Sequence, residues 1–521
     1  MNTLLGRLNT PYEERPAIRG IYHLLLGSTI SFAITAISSI AVARLLGPAS
    51  YGLYGLALVM PSYLSAFDLN ASASAVRFSA KFIGEGDRTK AVSFGYSMLI
   101  FQLIISLISF LISIPLSGVV AAYFLKRSIL AEYFPIAAAS ILGVGLINVS
   151  SGALQGLGDM RKSAMSGIAQ SLTRLFVSVG LILFGLSVLG AVIGYTAGYI
   201  AGGLAGFAFV IYSYRAILPK GFLRDVRVAI SYSLPLYTGT MISVFVSPYA
   251  STLLANFVSN AQIGGYSAAS NLVQAVAVTS SPISMALFPL FSRLDKKSDD
   301  IRNAYRNSVK YASLLMVPIT FAIIALAEPI ISVVYGERFD FAALYLIVLV
   351  APNLFVGIGS LALGAFLNGI GEVRKSMYAG ISSTITYIAA TTILVPFFNV
   401  YGLAMSSALS TVAGIAVATK MMGPIFGKGI LVSSVSRIYI ASAATAGLVY
   451  LIFELKIPNV VMLVVGIFFF LAIYVPLLAI ASALKQDEVS TLREYFSSSG
   501  LLSIPLTLLL RYYEFFYRII H

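Results

Sequence analysis

The 521-residue chain contains no cysteine and no tryptophan, and it has only two histidines. Without cysteine the chain can form neither a disulfide nor a thiolate metal site. His23 and His521 stand far apart in the sequence, so we expect no transition-metal cluster and no cofactor. Charged residues make up 10% of the chain, against about 25% in an ordinary soluble protein. These absences point away from metalloenzymes, disulfide-stabilised domains and soluble proteins.

Apolar residues take the place of the missing charges. They make up 58% of the chain, and the mean hydropathy is +0.91. Runs of about 20 apolar residues, long enough to cross the hydrocarbon core of a bilayer, alternate with short charged or glycine-containing breaks. We therefore predict an all-α polytopic membrane protein with about fourteen transmembrane helices, although adjacent spans are hard to separate near residues 187, 258 and 398. The predicted spans cover residues 20–43, 51–70, 91–118, 134–156, 164–186, 189–212, 232–257, 265–290, 311–334, 342–369, 376–397, 400–420, 434–453 and 459–484.

The sequence repeats itself at long range. Two octets with the same order of glycine, acidic and basic residues lie 213 positions apart, at 156–163 (GLGDMRKS) and 369–376 (GIGEVRKS). The segments 49–54 (ASYGLY) and 261–266 (AQIGGY) are offset by 212. A fixed offset of this kind indicates a duplicated membrane unit. Two ladders of small residues recur at the same offset, namely Gly190, Gly194, Gly198 and Gly202, and Gly402, Ser406, Ser410 and Gly414.

The repeat predicts the domain organisation. An N-terminal lobe at 1–212 and a C-terminal lobe at 232–425 would each hold six helices in the same orientation, and the small-residue ladders would pack neighbouring helices closely. A basic cytoplasmic linker at 213–231 joins the lobes, and two extra helices at 426–484 fall outside the repeat. The remainder, 485–521, is expected to be a cytoplasmic or interfacial tail whose amphipathic helix lies in the inner headgroup layer.

The distribution of basic residues predicts the orientation in the membrane. With a cytoplasmic N-terminus, the inner segments carry 28 of the 34 lysines and arginines, and the outer loops carry five. This is a strong positive-inside signal, and an even number of spans places both termini in the cytoplasm. The net charge of +14 is then explained by an anionic inner leaflet rather than by nucleic acid. Residues 1–19 are polar and basic, so we expect no cleaved signal and localisation in the cell membrane.

No group of residues has the spacing of a catalytic site. Residues 423–429 (GPIFGKG) resemble a phosphate-binding loop, but they lack the Ser or Thr that would hold magnesium and do not follow a strand. We therefore expect a transporter rather than an enzyme. Its work would be driven by an ion gradient, by the membrane potential or by the gradient of its substrate.

A few charged side chains fall within or beside the predicted spans, where they cost several kcal/mol unless they face a cavity or a partner. Because guanidinium groups match phosphate oxygens, Arg44, Arg77 and Arg174 are candidate residues for binding a phosphate-bearing substrate. Asp68 and Glu328 are candidate ion-coupling residues. Each charge also has a structural alternative. Arg44 and Arg77 could anchor helix ends at the interface, and the other three could form ion pairs.

Uncharged polar residues in the spans form a second group of candidates. Gln155, Asn271 and Gln274 could line a substrate cavity, as could Asn353 and Asn368. The alternative role for each of them is hydrogen bonding between helices, which is the more common use of amides in membrane proteins.

Three motifs in a fixed order resemble the polysaccharide flippases, which share a superfamily with the multidrug and toxin exporters and the lipid II flippases. They are 43–54 (ARLLGPASYGLY), 75–78 (AVRF) and 155–162 (QGLGDMRK), and the likeness extends over about 15–495. The resemblance implies two six-helix lobes around a central cavity. It also implies that Arg44 engages the lipid-linked phosphate, while Arg77 matches a motif position only. The second lobe has Ser280 opposite Asp68, so any ion site at that position would be one-sided.

The resemblance implies export of lipid-linked oligosaccharide. The leading hypothesis is a flippase that moves a polyprenyl-(pyro)phosphate-linked glycan from the cytoplasmic to the outer leaflet by alternating access, for surface polysaccharide or glycoprotein assembly. Its partners would be membrane lipids and the glycosyltransferases or polymerase of the same pathway. One alternative is a cation-coupled multidrug exporter of the same superfamily. Another is a non-transporting scaffold for glycosyltransferases.

Overall fold

The computed structural model describes residues 14–214, 221–294, 298–422, 432–451, 457–484, 486, 488–490, 493 and 503–520. Its regular elements in these ranges are all helices, which confirms the all-α prediction. The phosphate-loop-like segment 423–429 lies outside the described residues, as do residues 215–220 of the predicted linker and much of the tail between 485 and 502.

Seventeen α-helices make up the described part of the chain. They are α1 (Glu14–Ala57), α2 (Val59–Leu64), α3 (Ala71–Gly84), α4 (Arg88–Val119), α5 (Leu130–Gly156), α6 (Met160–Leu181), α7 (Ser187–Tyr214), α8 (Phe222–Ala255), α9 (Asn260–Ser292), α10 (Asp299–Ala325), α11 (Ala327–Tyr335), α12 (Ala342–Val350), α13 (Ser360–Gly369), α14 (Val373–Met422), α15 (Val432–Leu451), α16 (Asn459–Ile480) and α17 (Ser503–Ile520). Short 3-10 turns lie at Ser65–Phe67, Glu337–Phe339 and Ala351–Ile358, and π-helical turns at Val120–Phe124 and Ile182–Leu186.

Several apolar segments are long enough to cross a membrane. Within the described residues there are eight candidate spans, or nine if the bent pair Ala342–Ile358 and Ser360–Gly369 counts as one. Three of them, Tyr22–Phe67, Met160–Ser213 and Val373–Met422, contain 46, 54 and 50 residues, about twice the length that one crossing needs. The polytopic class is therefore confirmed, whereas the number fourteen stays a prediction.

The longest segments are broken where the backbone leaves helical geometry. Gly185 and Ser187 have φ values of 92° and 43° between α6 and α7, and Asn399 has φ 52° inside α14. These breaks coincide with the boundaries expected near 187 and 398. In α1 the break is at Gly47, with φ 71°. Glycine and asparagine tolerate positive φ. One or two such residues are therefore enough to kink or reverse the chain, and no polar loop is needed.

The small-residue ladders pack helix against helix, as predicted. A Cβ atom added to a glycine of the α7 ladder would contact α6, and the contacted residue has a lower number as the number of the glycine rises. The pairs are Gly190 with Leu181, Gly194 with Ser178, Gly198 with Arg174, and Gly202 with Gln170. This order shows that α6 and α7 run antiparallel. In α14 the same relation holds across Asn399, where Gly402 faces Leu394 and Gly414 faces Ser383. Small residues let the two arms of each hairpin approach within backbone contact.

The two octets form the same local structure. The helix before each turn ends at the first glycine of the octet, Gly156 or Gly369, and two residues later a glycine has positive φ, 86° at Gly158 and 77° at Gly371. The acidic residue that follows forms an ion pair three residues on. Lys162 lies 2.7 Å from Asp159, and Lys375 lies 3.6 Å from Glu372. The duplication seen in the sequence is thus also present in the backbone.

The chain divides into two compact units, a first unit containing Asn9–Ser267 and a second unit containing Ala268–His521. In the first unit α3, α4, α5, α7 and α8 share one apolar core. Helix α8, the predicted first span of the C-terminal lobe, is fixed there by polar contacts: Ser74 Oγ donates to the Ala229 carbonyl at 3.2 Å, and Ser97 Oγ donates to Asp225 at 2.6 Å. The lobe boundaries derived from the repeat stay a prediction.

In the second unit the tail packs against the extra helices. The core formed by α10, α15 and α16 includes Tyr513 of α17, which is 3% exposed. The Tyr513 hydroxyl donates to the Leu484 carbonyl at 2.9 Å. The predicted apolar face of α17 thus rests on protein, while Leu508 and Phe515 are exposed. A position of α17 in the headgroup layer stays a prediction.

Candidate functional site

Arg174, predicted from its charge within a span, lies at the centre of a tyrosine cluster in the first unit. Its Nη2 donates to the Tyr54 hydroxyl at 3.2 Å, and its Cζ lies 5.1 Å from the centre of the Tyr195 ring. Tyr195 and Tyr199 are themselves in contact, with ring centres 4.9 Å apart. Gly198 makes this arrangement possible, because a side chain there would press against the Cβ of Arg174. Aromatic faces and a hydroxyl stabilise the cation within the helix bundle.

A cavity of about 210 Å³ opens beside the same two tyrosines. We call it the first-unit cavity. Its lining includes Asp68, Gln102, Ser106, Tyr195 and Tyr199. Asp68 thus lines one cavity with Tyr195 and Tyr199, whereas Arg174 packs on Tyr195 but is not among the lining residues. Among the lining residues Asp68 is the one carboxylate, and none is basic.

Asp68 owes its position to a break in the helical backbone. The 3-10 turn Ser65–Phe67 ends at Asp68, which is extended (φ −71°, ψ 95°), and α3 begins only after Asn70 in left-handed geometry (φ 57°). The Asp68 Oδ2 accepts a long hydrogen bond from Asn148 Nδ2 at 3.4 Å. Its Oδ1 is buried and has no hydrogen-bond partner among the described residues.

Gln102 of α4 also lines the first-unit cavity. The sequence analysis did not identify it as a candidate. Its side chain is 2% exposed, and Nε2 donates to Ser106 Oγ at 3.3 Å. Its Oε1 is buried without a partner in the described structure. The available signal was a lone amide within the apolar run 91–118. The tyrosines were missed because tyrosine is common in spans and marks no site by itself.

The second unit contains a larger polar cavity of about 520 Å³, the second-unit cavity. Ser280, the repeat counterpart of Asp68, lines it together with Asn353, Ser360, Ser383 and Thr411. Its lining residues are uncharged. The duplicated positions thus lie at comparable cavities, but only the first carries a carboxylate.

The other arginines differ in their surroundings. Arg44 is exposed in α1, three residues before the break at Gly47. Arg77 is exposed in α3, and its Cζ lies 4.1 Å from the centre of the Tyr232 ring. The structure does not bring either of them to the first-unit cavity, since they are not among its lining residues.

Glu328 does not lie inside a helix long enough to span. It is exposed in the first turn of the short helix α11, after α10 has ended at Ala325. Glu328 lies near two other acidic residues, Asp340 and Glu337. Burial of Asp340 and the negative charges of Glu328 and Glu337 raise the pKa of Asp340. Glu328 thus lies outside the candidate spans of the described residues, and its role in ion coupling stays a prediction.

The predicted amides are scattered. Gln155 lies at the end of α5, where its Nε2 donates to Ser163 Oγ at 3.1 Å, and so joins two helices. Asn271 is half-buried and Gln274 exposed on α9. These three residues do not line either polar cavity.

An apolar groove of about 810 Å³ lies in the second unit between α9, α10, α16 and α17. Pro318, Ala322, Phe470, Leu471 and Leu510 are among the residues that line it. Two of its four helices, α16 and α17, belong to the part of the chain outside the repeat.

Comparison with known proteins gives a consistent result. A family model described as polysaccharide biosynthesis protein matches residues 41–344, which is more than half of the chain. The probable low-salt glycan biosynthesis flippase Agl15 of Haloferax volcanii is 20% identical over 278 residues, 53% of this chain and 59% of that protein. The alignment therefore spans about three fifths of that relative's length.

Two solved structures resemble most of this chain in fold. The lipid II flippase MurJ in an inward closed conformation has a TM-score of 0.70 at 15% identity, with 86% of this chain and 97% of that chain covered. A multidrug resistance MATE family transporter of the MOP superfamily, facing inward, has a TM-score of 0.65 at 16% identity, with 77% and 98% covered. At such identities the likeness shows the fold alone.

Proposed function

We propose, because the chain belongs to the polysaccharide biosynthesis protein family of the MOP superfamily, that it is a flippase for lipid-linked oligosaccharide. It would move a polyprenyl-(pyro)phosphate-linked glycan from the cytoplasmic to the outer leaflet by alternating access, for assembly of surface polysaccharide or glycoprotein. The observation that carries the proposal is the family match over residues 41–344. The relative named as a probable glycan biosynthesis flippase supports it.

Such a substrate has three chemical parts, a glycan, a polyprenyl tail and a phosphate, and this chain offers groups that could bind each of them. A glycan presents hydroxyl groups, and the second-unit cavity offers neutral hydroxyls and an amide from Ser360, Thr411 and Asn353. A polyprenyl tail is purely apolar, and the apolar groove offers Leu471, Phe470 and their neighbours. We infer that the groove holds the tail of the substrate while the sugar head is moved.

The phosphate part requires a cation, and we propose Arg44 for this role. Its exposed guanidinium can reach a lipid phosphate, and the fork geometry of arginine fits phosphate oxygens in two parallel bonds. Arg174 is already held by Tyr54 and Tyr195, so we propose that it stabilises the first unit and acts on substrate only indirectly. Arg77, stacked on Tyr232, is proposed as a helix-end anchor.

The remaining assignments follow from the same proposal. Asp68 is the stronger candidate for ion coupling, since Glu328 lies outside the spanning helices among other acidic residues. The protein would reside in the cell membrane with both termini in the cytoplasm. Glycosyltransferases or a polymerase of the same pathway would supply or consume its substrate.

A cation-coupled drug exporter is the second candidate, since a MATE family transporter shares the fold. The larger, second-unit cavity argues against it. Cationic drugs need carboxylates or aromatic faces, and the lining of that cavity includes neither.

Substitution of Arg44 tests the proposed phosphate contact. In proteoliposomes with a labelled polyprenyl-pyrophosphate oligosaccharide, Arg44→Ala should reduce the flipping rate at least about tenfold, because a charge-assisted hydrogen bond is lost. Arg44→Lys should retain part of the rate, since the charge remains and the fork geometry is lost.

Arg338→Ala serves as the matched control, because Arg338 is likewise exposed but lies in the turn between α11 and α12. Its flipping rate should equal that of the unmodified protein. Equal rates for Arg44→Ala and Arg44→Lys, with both variants folded, would refute the phosphate contact.

A further inference from the structure

The second-unit cavity contains a buried hydrogen-bond donor without an acceptor. The Nδ2 atom of Asn353 is shielded from solvent and has no hydrogen-bond partner among the described residues. Asn353 is one of the residues that line the cavity. Buried amide groups are normally paired, because an unpaired one loses the hydrogen bond that it would make with water. The unpaired donor therefore indicates a ligand that brings an acceptor oxygen into this cavity.

Two hydroxyl groups of the same cavity complement this donor. Ser280 Oγ donates to the Ala277 carbonyl at 2.7 Å, and Thr411 Oγ1 donates to the Ser407 carbonyl at 2.9 Å. Since both protons are used within their own helices, the two oxygens can only accept hydrogen bonds from a ligand. Alcohol groups donate and accept at the same time, so a ligand rich in alcohols fits Asn353 and the two oxygens together.

The lining of the cavity excludes charged ligands. The residues that form it, all within the described part of the chain, include no acidic, basic or aromatic side chain. An ionised group in this space would lose its hydration without gaining a counter-ion. Helix α13 begins at Ser360 in the wall, but a helix N-terminus carries only a partial positive charge and does not replace a cation. The cavity is therefore suited to a polar ligand without charge.

A break in the helical backbone holds the amide in place. Asn353 lies in the 3-10 turn Ala351–Ile358, between α12 and α13. The hydroxyl of Tyr439 in α15 accepts a hydrogen bond from the Gly357 amide at 3.2 Å and donates one to the Leu354 carbonyl. Because the turn is fixed before a ligand arrives, little conformational entropy is lost when the ligand binds.

We propose that the second-unit cavity binds an uncharged sugar residue of the glycan, a hexose or an N-acetylhexosamine. Asn353 Nδ2 donates to a sugar oxygen, and Ser280 and Thr411 accept from sugar hydroxyls. The volume of about 520 Å³ is that of a small-molecule site. This assignment rests on the proposed function and names the class of glycan, since a uronic acid at the same position should be rejected.

Two glycines keep the cavity wide. Gly364 of α13 and Gly380 of α14 line it, and a Cβ atom at either position would meet no other atom within 4 Å. A leucine at Gly380 should therefore fill part of the cavity without a clash with the backbone. Leucine is also a better helix former than glycine. Gly380→Leu is thus expected to exclude the sugar and to leave the fold intact.

Saturation-transfer difference NMR on the purified full chain in detergent tests sugar binding without transport. The probes are cellobiose, N,N′-diacetylchitobiose and cellobiouronic acid, which differs from cellobiose by a carboxylate in place of one hydroxymethyl group. At least one neutral disaccharide should bind saturably, and cellobiouronic acid should bind at least about tenfold more weakly, because its charge is not compensated. Asn353→Leu should weaken neutral-sugar binding about tenfold, since one hydrogen bond is lost. Gly380→Leu should abolish it.

Two matched controls separate the site from general damage. Gly447→Leu places a leucine at a glycine of α15 that also faces open space but does not line the cavity. Asn303→Leu removes an exposed amide of α10 that likewise lies away from the cavity lining. Both should bind the neutral sugar normally. If Asn353→Leu fails to fold, Gly380→Leu decides.

Absence of saturable binding of both neutral disaccharides by the unmodified protein would overturn the proposal. Equal affinity for cellobiose and cellobiouronic acid would also overturn it, as would full neutral-sugar binding by folded Gly380→Leu. Reconstitution into vesicles distinguishes this failure from that of the proposed function. Neutral-sugar binding without flipping of any lipid-linked glycan would contradict the proposed function alone, whereas equal flipping of neutral and uronate-bearing glycans would contradict the role of the cavity alone.

Discussion

At the scale of single residues, the most unusual feature is a lysine buried in a spanning helix. Lys310 of α10 is 2% exposed, and its Nζ lies 2.8 and 2.6 Å from the two carboxylate oxygens of Glu488. Glu488 belongs to the tail beyond α16. The pair therefore joins the tail to the helical core, and the ammonium is stable there only because a carboxylate accompanies it.

Removal of one partner should be far worse than removal of both. Glu488→Gln leaves the Lys310 charge buried and unpaired, so we expect it to lower the free energy of unfolding by about 3–5 kcal/mol. The double substitution Lys310→Met with Glu488→Leu should cost much less, because no charge remains buried. Denaturant unfolding in detergent measures both.

An exposed ion pair provides the comparison. Lys81 and Glu85 lie 3.6 Å apart with side chains 58% and 49% exposed. Glu85→Gln should therefore change the free energy of unfolding by less than about 1 kcal/mol. If Glu488→Gln has an effect as small as Glu85→Gln, the buried pair does not hold the tail.

Sequence reasoning at this scale found charges but not their surroundings. The position of Arg174 in an apolar run identifies it, and the structure places it in contact with Tyr54 and Tyr195. Those tyrosines come from α1 and α7, more than 100 residues apart, and no local pattern links them. Lys310 was counted simply as an inner basic residue because its partner lies 178 positions away.

At the scale of helices, the two copies of the repeat touch at equivalent glycines. A Cβ added to Gly52 would meet the backbone of Asn260 and Gly264, and a Cβ added to Gly264 would meet the backbone of Pro48 and Gly52. The contact is thus reciprocal, as expected when two equivalent segments pack about a pseudo-two-fold axis. Both residues belong to the first unit.

This contact makes each glycine intolerant of a side chain. Gly52→Ala or Gly264→Ala should destabilise the protein by about 1–3 kcal/mol, because backbone atoms must move to accept the methyl group. Thermal unfolding in detergent measures the loss. Gly118→Ala is the control, since a Cβ at Gly118 in α4 meets open space. A destabilisation by Gly264→Ala no larger than that by Gly118→Ala would contradict the close contact.

The repeat itself was predictable, because an octet with its glycine, acid and bases has a recognisable order. The contact between Gly52 and Gly264 was not, since equivalence in sequence does not imply proximity in space. Helix ends near 187 and 398 were hard to place for a physical reason. The turns there need only Gly185, Ser187 and Asn399, so no polar loop interrupts the apolar run.

At the scale of the whole molecule, the duplication has diverged in charge. The first-unit cavity is lined by one carboxylate, Asp68, and by two tyrosines, whereas the second-unit cavity has a larger volume and an uncharged lining. The two copies of the repeat therefore differ in the charge that they present at comparable cavities. The extra helix α16 and the tail helix α17 add an apolar groove that a twelve-helix core would lack.

The sequence also accounts for the membrane class and the family resemblance, because these depend on composition and on short ordered motifs. It could not show the cavities, whose walls combine α2, α4, α5 and α7 in one unit and α9, α10, α13 and α14 in the other. The identity of the cargo follows from neither pattern and depends on transport measurements.

The most direct test of the central claim is the leaflet sidedness of a lipid-linked glycan. The purified chain is reconstituted into vesicles with a labelled polyprenyl-pyrophosphate oligosaccharide, and a glycan-cleaving enzyme outside reports how much substrate becomes accessible. We predict a rise in accessibility over protein-free vesicles that Arg44→Ala largely removes. No rise, together with extrusion of a cationic dye by the same vesicles, would contradict the account and assign the chain to the drug exporters.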